Sequence, residues 1–139
     1  MVILSVDYGD VRTGIAVCDK FGMLASPVKV IVERDSGVLA DEINEIATEK
    51  KAEKIVLGLP KNMDGSEGFR AEACRQLAEL ISERSNLPID FEDERLTTVS
   101  AHNALNATNT RGKKRKAVVD AVSAVIILED YLRRTKNQK

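Results

Sequence analysis

Acidic residues stand at three places in this 139-residue chain where the surrounding pattern favours apolar side chains. Asp7 closes the apolar run Val2–Asp7, on the side it shares with Ile3 and Ser5. Asp90, Glu92, Asp93 and Glu94 place four acids in five residues at the end of a short strand pattern, where parallel strands of α/β sheets hold their ligand sites. Asp120 lies inside Ala117–Leu128, with apolar neighbours on nearly every face of a helix; an ionised carboxylate there has to be paired, hydrogen-bonded or bound to a cation. Each has a plain structural reading: an acid at a strand end for Asp7, a solvated strand end for the run, and an i−4 pair with Lys116 near a helix N-terminus for Asp120. Together they offer another. Three hard oxygen ligands from separate elements, without His or Cys beside them, suit Mg2+ or Mn2+ rather than zinc. Two such ions held by shared carboxylates activate water on one side of a phosphodiester and stabilise the leaving oxygen on the other, so no nucleophilic side chain is required.

Charge is distributed to match. The net charge of −1 conceals a division at Glu94: residues 1–94 carry eleven basic and nineteen acidic side chains, and residues 95–139 carry ten and three. The positive half contains Arg111, Lys113, Lys114, Arg115 and Lys116, five cations in six positions. Such a run is either a solvated face or, beside an acidic site that must attract a polyanion, a contact for nucleic-acid phosphates. The aromatic residues Tyr8, Phe21, Phe69, Phe91 and Tyr131 are mostly expected in packing, which leaves no platform for base stacking.

Positioning these groups requires a mixed sheet. Val2–Asp7, Gly14–Asp19 and Ser26–Val32 read as strands joined by short polar turns, hence as antiparallel neighbours. From Ser36 the period becomes helical, with Leu39, Ile43, Ile46 and Ala47 on one stripe. Lys54–Leu59 reads as a buried strand reached by a right-handed crossover. A second helix after Gly68 stops near Asn86-Leu87-Pro88, and Ile89–Glu92 is a short last strand. A helix from Thr97 to about Leu105, a polar loop over Asn106–Gly112 and a long helix over about Lys114–Arg133 complete the chain. The order βββαβαβαα gives an α/β layered domain around a mixed five-stranded sheet. At this length one domain is expected. Cys18 and Cys74 are too far apart for a zinc spacing and read as core thiols. Charged interruptions leave no membrane span, and Met1–Val6 has no basic region of a secretion signal, so a cytoplasmic protein is expected.

Four motifs in order carry a family resemblance: Asp7-Tyr-Gly-Asp-Val-Arg12-Thr-Gly14, Gly58-Leu-Pro60-Lys61-Asn62-Met-Asp64-Gly65-Ser-Glu-Gly68, Asp93-Glu94-Arg95-Leu-Thr97-Thr98 and Lys116-Ala-Val-Val-Asp120-Ala. Over essentially its whole length the chain resembles the YqgF, or RuvX, family of pre-16S rRNA nucleases, itself similar to Holliday junction resolvases of the RuvC type. Ser123 departs from the alanine more usual at that position, a packing detail. The resemblance implies a ribonuclease H-like fold with helices on both faces of the sheet, a single nuclease domain over residues 1–139, and Asp7, Glu94 and Asp120 as metal-binding catalytic acids. It selects Glu94 from the acid run, a choice that periodicity leaves open. Arg12, in the loop after Asp7, and Arg95 either clamp phosphate oxygens or pair with local acids. The loop from Pro60 to Gly68, with Lys61 and Asn62, is either an anion site ahead of a helix or a structural turn. Lys116 could orient phosphate or water, and His102 reads as a surface residue.

The expected substrate is structured RNA, at the 5′ end of pre-16S rRNA, with branched DNA at a Holliday junction as the alternative; junction cleavage would require a homodimer rather than a monomer. Two other classes compete. The Asp-x-Gly turn also opens nucleotide-dependent phosphotransferases, but those close two such domains over the nucleotide. A noncatalytic nucleic-acid-binding module is weakened by the presence of all three acids.

Overall fold

The computed structural model describes residues 1–61, 64–93 and 112–136, with residues 112–121 and 136 as helix backbone. Its elements are β1 (Ile3–Asp7), β2 (Arg12–Cys18), β3 (Ala25–Val32), α1 (Ser36–Glu49), β4 (Lys54–Leu59), α2 (Phe69–Arg84), β5 (Ile89–Asp93) and α3 (Gly112–Lys136). The sheet order is β3-β2-β1-β4-β5. The first three strands are mutually antiparallel, β4 runs parallel to β1, and β5 runs parallel to β4. The helix expected over Thr97–Leu105, and with it His102, falls outside the described residues.

Alternation along β1 sorts the molecule into layers. Leu4 and Val6 face one way, joining Ile15, Ile31, Leu39 and Ile43 beneath α1 and Leu77 and Ile81 of α2. Ile3 faces the other way, with Ala16, Cys18 and Val56 against Ala124, Ile127, Leu128 and Tyr131 of α3. Helices therefore cover both faces, and β4, covered on both, reads as a continuous apolar run. Ser5 belongs to the α3 side. It is fully buried, and its hydroxyl donates to the Ala124 carbonyl at 2.7 Å, fixing the middle of α3 over the middle of β1.

Local chemistry sets the element boundaries. The Asp35 carboxylate caps α1 by accepting from the Gly37 and Val38 amides at 2.9 and 3.1 Å, a bond set whose removal typically costs about 1 kcal/mol. Arg84 ends α2 a few residues before Pro88, and Leu87 is restrained to extended backbone by that proline. Most boundaries agree with the sequence reading to within a residue, and two near the site differ by more. Arg12 is the first residue of β2, paired with Val32, rather than part of the preceding loop, because the β2–β3 ladder extends to the end of β3. Helix α3 starts at Gly112, within the expected loop, since five helix-tolerant residues follow it directly. Cys18 and Cys74 are buried thiols that form no disulfide, as expected.

Candidate active site

The parallel register brings the carboxyl ends of β1, β4 and β5 to one edge of the sheet. Val6 pairs with Leu57, and Asp7 pairs with Gly14 across the antiparallel side. One step along the same ladder sets Asp7 level with Gly58, which pairs with Glu92. The row across the sheet is therefore Gly14, Asp7, Gly58, Glu92, all on the α3 face. Asp7 is half-buried and flanked on both sides by glycine. Adjacent strands lie about 4.8 Å apart, and with glycine at both flanking positions no side chain of β2 or β4 stands level with its carboxylate.

Helix α3 runs toward this edge. The Tyr131 hydroxyl meets Lys54 at the start of β4 and Asp90 of β5, while Ala124 sits over Ser5 in the middle of β1. Continued in the same direction, one further turn carries the backbone of Asp120 toward the end of β1 that holds Asp7. The side chains of Lys113, Lys114, Arg115, Lys116 and Asp120 are not described, and Asn62, Glu94, Arg95 and Arg111 lie outside the described residues. Among the described residues no three His, Cys, Asp or Glu side chains group as a metal site.

Within the acid run the structure separates two partners of α3. Asp90 accepts from the Tyr131 hydroxyl at 2.8 Å and from the Phe91 amide at 2.8 Å. Glu92 is only 8% exposed and accepts from Arg134 through Nε at 2.9 Å and Nη2 at 2.8 Å. Burial pushes the Glu92 carboxyl above its usual value, against the opposing pull of Arg134. A solvated strand end thus fails for Asp90 and Glu92: both are consumed in bonds to a helix some forty residues away. The sequence signal for these bonds was Tyr131 and Arg134, two polar-tipped residues one turn apart, and nothing local tied them to β5.

Two loops flank the edge. After Asp7 the chain turns through Gly9, whose backbone approaches Arg12 so closely that a Cβ would lie 2.2 Å from the Arg12 carbonyl oxygen. Arg70, in the first turn of α2, braces this turn: Nη1 contacts the Asp10 carboxylate and Nη2 donates to the Tyr8 carbonyl at 3.0 Å. Arg70 has no role in the sequence reading, although a cation two residues after Gly68 is the available sign. The second loop leaves β4 through Lys61, whose backbone pairs antiparallel with that of Glu67. Asp64 accepts from the Ser66 amide and hydroxyl at 2.9 and 2.6 Å, Gly65 supplies a left-handed turn at φ 90°, and Arg75 grips Glu67 with two bonds of 2.6 and 2.7 Å. That grip holds the Glu67 carboxyl below its usual value. Packing consumes Tyr131 and much of Tyr8 and Phe91, but Phe21 and Phe69 are exposed. Phe69 opens α2 with three-quarters of its surface in solvent, correcting the expectation for these two rings. No helix among the described residues is long and apolar enough to cross a membrane.

Comparison with known proteins agrees with this architecture. Residues 1–134 match the family model described as RuvX, Holliday junction resolvase. A protein of Leuconostoc mesenteroides named "Putative pre-16S rRNA nuclease" is 47% identical over 137 residues, covering 95% of this chain and 94% of its own. One of the same name from Lactiplantibacillus plantarum is 44% identical over 137 residues, covering 96% and 95%. Among solved structures, Thermus thermophilus RuvC aligns at a TM-score of 0.58 with 12% identity over 97% of both chains. The Holliday junction resolvase of fowlpox virus aligns at 0.58 with 14% identity, over 96% of this chain and 99% of that one. At those identities the likeness is one of fold, the ribonuclease H-like fold.

Proposed function

The chain belongs to the RuvX family and is a hydrolytic nuclease, and from that premise we propose that Asp7, Glu94 and Asp120 hold divalent metal for phosphodiester cleavage in pre-16S rRNA. The observation that carries the reading is the glycine-flanked Asp7 at the carboxyl edge, with α3 directed toward it. An all-carboxylate donor set suits Mg2+ or Mn2+, and the absence of side chains at Gly14 and Gly58 suits an ion with retained waters beside Asp7. Bound metal would lower the pKa of attacking water and offset charge on the leaving oxygen.

The remaining chemistry belongs to the chain. Asp7 ends β1, Glu94 follows β5 in the sequence and Asp120 lies on α3, so their convergence depends on how the sheet edge and α3 are held. Arg12, at the start of β2, and Arg95 supply forked donors for phosphate oxygens. Lys61 and Asn62 serve the same backbone from the loop after β4. Arg111, ahead of α3 in the sequence, and Lys113, Lys114, Arg115 and Lys116, at its start, attract the polyanion in a salt-dependent manner. The reading includes one nuclease domain over residues 1–139, acting in the cytoplasm as a monomer on the 5′ end of pre-16S rRNA. Its support is the name shared by the curated relatives. Cleavage of Holliday junction DNA by a homodimer is the second reading, favoured by the fold shared with RuvC.

The test compares metal-dependent cleavage of a precursor-rRNA duplex and a four-way DNA junction by the parent and by Asp7→Asn. The variant is expected to lose cleavage while retaining binding. Undiminished cleavage overturns the carboxylate assignment, and a parent that cuts only the junction overturns the RNA assignment.

A further inference from the structure

Helix α3 meets the sheet in two different ways. Ala124, Ile127 and Leu128 pack on Ile3, Ala16 and Val56 through apolar contact, which is non-directional; the one directional bond there among the described residues, from the Ser5 hydroxyl to the Ala124 carbonyl, pins a single point of the helix. Beyond them, directional bonds take over. The Tyr131 hydroxyl receives Lys54 Nζ at 2.9 Å and donates to Asp90 at 2.8 Å, joining the helix to the first residue of β4 and to β5. Arg134 donates to Glu92 through Nε and Nη2. The cations of Lys54 and Arg134 lie 5.5 and 5.2 Å from the centroid of the Tyr131 ring, which is itself 2% exposed.

The acidic partners, Asp90 and Glu92, are alternate residues of β5, four and two positions before Glu94. The donors occupy α3, about 16 Å (Tyr131) and about 21 Å (Arg134) along the helix from Asp120 at about 1.5 Å per residue. One set of bonds therefore links the strand that leads to one candidate ligand with the helix that carries another. Metal sites tolerate ligand displacements of only about 0.2 Å, whereas apolar packing with one bond at Ala124 still leaves the helix able to pivot about that point. We propose that Tyr131 and Arg134 are positioning residues for the metal centre, clamping α3 to β5 and β4 so that Asp120 and Glu94 converge on Asp7. The inference rests on the carboxylate reading of the site. Neither residue touches substrate or metal in this role, and the clamp works entirely through the geometry of two elements.

The test uses the full chain with Tyr131→Phe, which keeps the ring and removes both hydroxyl bonds, and with Arg134→Gln and Arg134→Lys. Mn2+ affinity is measured by calorimetry without nucleic acid, and the metal midpoint of rRNA-duplex cleavage is measured below the unfolding range. Tyr131→Phe and Arg134→Gln are expected to weaken Mn2+ binding at least fivefold and to raise the cleavage midpoint in step. Affinity for the duplex without metal should be unchanged, and Arg134→Lys should recover part of the loss. Lower melting temperatures with the parental Mn2+ affinity in both variants would overturn the clamp. Should Tyr131→Phe fail to fold, the comparison of Arg134→Gln with Arg134→Lys decides, because Arg134 is partly exposed. Asp7→Asn separates the two readings: if it is inactive while the clamp variants bind Mn2+ as the parent does, only the clamp fails. If it cleaves normally, the carboxylate reading fails and the clamp with it.

Discussion

Replacing Gly9 by alanine puts one methyl group where the backbone folds most tightly beside Asp7. The added Cβ would lie 2.2 Å from the Arg12 carbonyl oxygen, short of an ordinary carbon–oxygen contact by about 1 Å. The obstacle is backbone, so the turn from Tyr8 to Arg12 must open by a distance of that order. Overpacking of this kind costs about 1–3 kcal/mol, which lowers the melting temperature of a domain of this size by roughly 3–5 °C per kcal/mol. Its effect on rate should be larger, because a displacement of about 1 Å in a reacting group can cost about 100-fold. Gly22→Ala provides the control. Gly22 has φ 68°, and the nearest atom to its added Cβ is Leu132 Cδ2 at 3.6 Å, so it incurs the left-handed backbone penalty of about 1–2 kcal/mol without a clash. It lies in the β2–β3 turn, at the opposite end of β1 from Asp7. Thermal unfolding and metal-dependent cleavage are measured on both variants. The expected pattern is destabilisation in both and loss of rate in Gly9→Ala alone. A Gly9→Ala variant with the parental melting temperature and rate would refute the close approach and the coupling of this turn to Asp7.

The remaining predictions concern other parts of the molecule. Ser5→Ala removes the buried bond to Ala124 and should cost about 1 kcal/mol in denaturant unfolding; no loss would mean that this bond does not hold α3 over β1. Changing Lys113, Lys114 and Arg115 to Gln should reduce the slope of log affinity against log salt by up to about 0.9 for each duplex-DNA phosphate that is no longer neutralised, somewhat less on single strands. An unchanged slope would make the run a solvated face. Arg75→Gln should lower stability at neutral pH, because Arg75 holds the Glu67 carboxyl below its usual value and stabilises the ionised form. A depressed carboxyl contributes stability above its unfolded pKa and loses it as pH falls through the folded value, so the gap between parent and variant should close in acid. A gap that persists there would assign the effect to packing.

Much of the architecture was legible because it rests on local periodicity. Alternation along β1 placed Ser5 and Asp7 on one face and Leu4 and Val6 on the other, as found. The bounds of β4 coincided with the apolar run, since Pro60 ends it. Legibility ended where a side chain's fate depended on a distant partner. Asp90 and Glu92 are indistinguishable from their neighbours by sequence pattern, and only the approach of Tyr131 and Arg134 shows them as bonds to α3. Arg70 looks like an ordinary helix cation until its guanidinium reaches back to the β1–β2 turn. Composition likewise failed to separate the exposed Phe21 and Phe69 from Tyr131, because burial of a ring follows from which face of the sheet or helix it occupies. At the candidate site, Asp7 and the course of α3 emerged from spacing and register together. The selection of Glu94 came from the family pattern, and its position lies outside the described residues.

The order in which the chain is made gives the α3 interface a temporal meaning. Strands β1 to β5 and helices α1 and α2 precede residue 94, and among the described residues the core between them involves no part of α3. A nascent chain stopped there could already form most of one layer of the domain. Its other sheet face, with Ile3, Ala16, Cys18 and Val56, would still await its cover. The helix that shields this face from aggregation is the same one that bears Asp120, so on the proposed reading solubility and catalytic competence are gained in a single late docking step. On that reading a partly synthesised chain, still without Asp120, would not cleave nucleic acid while its second sheet face awaits its cover.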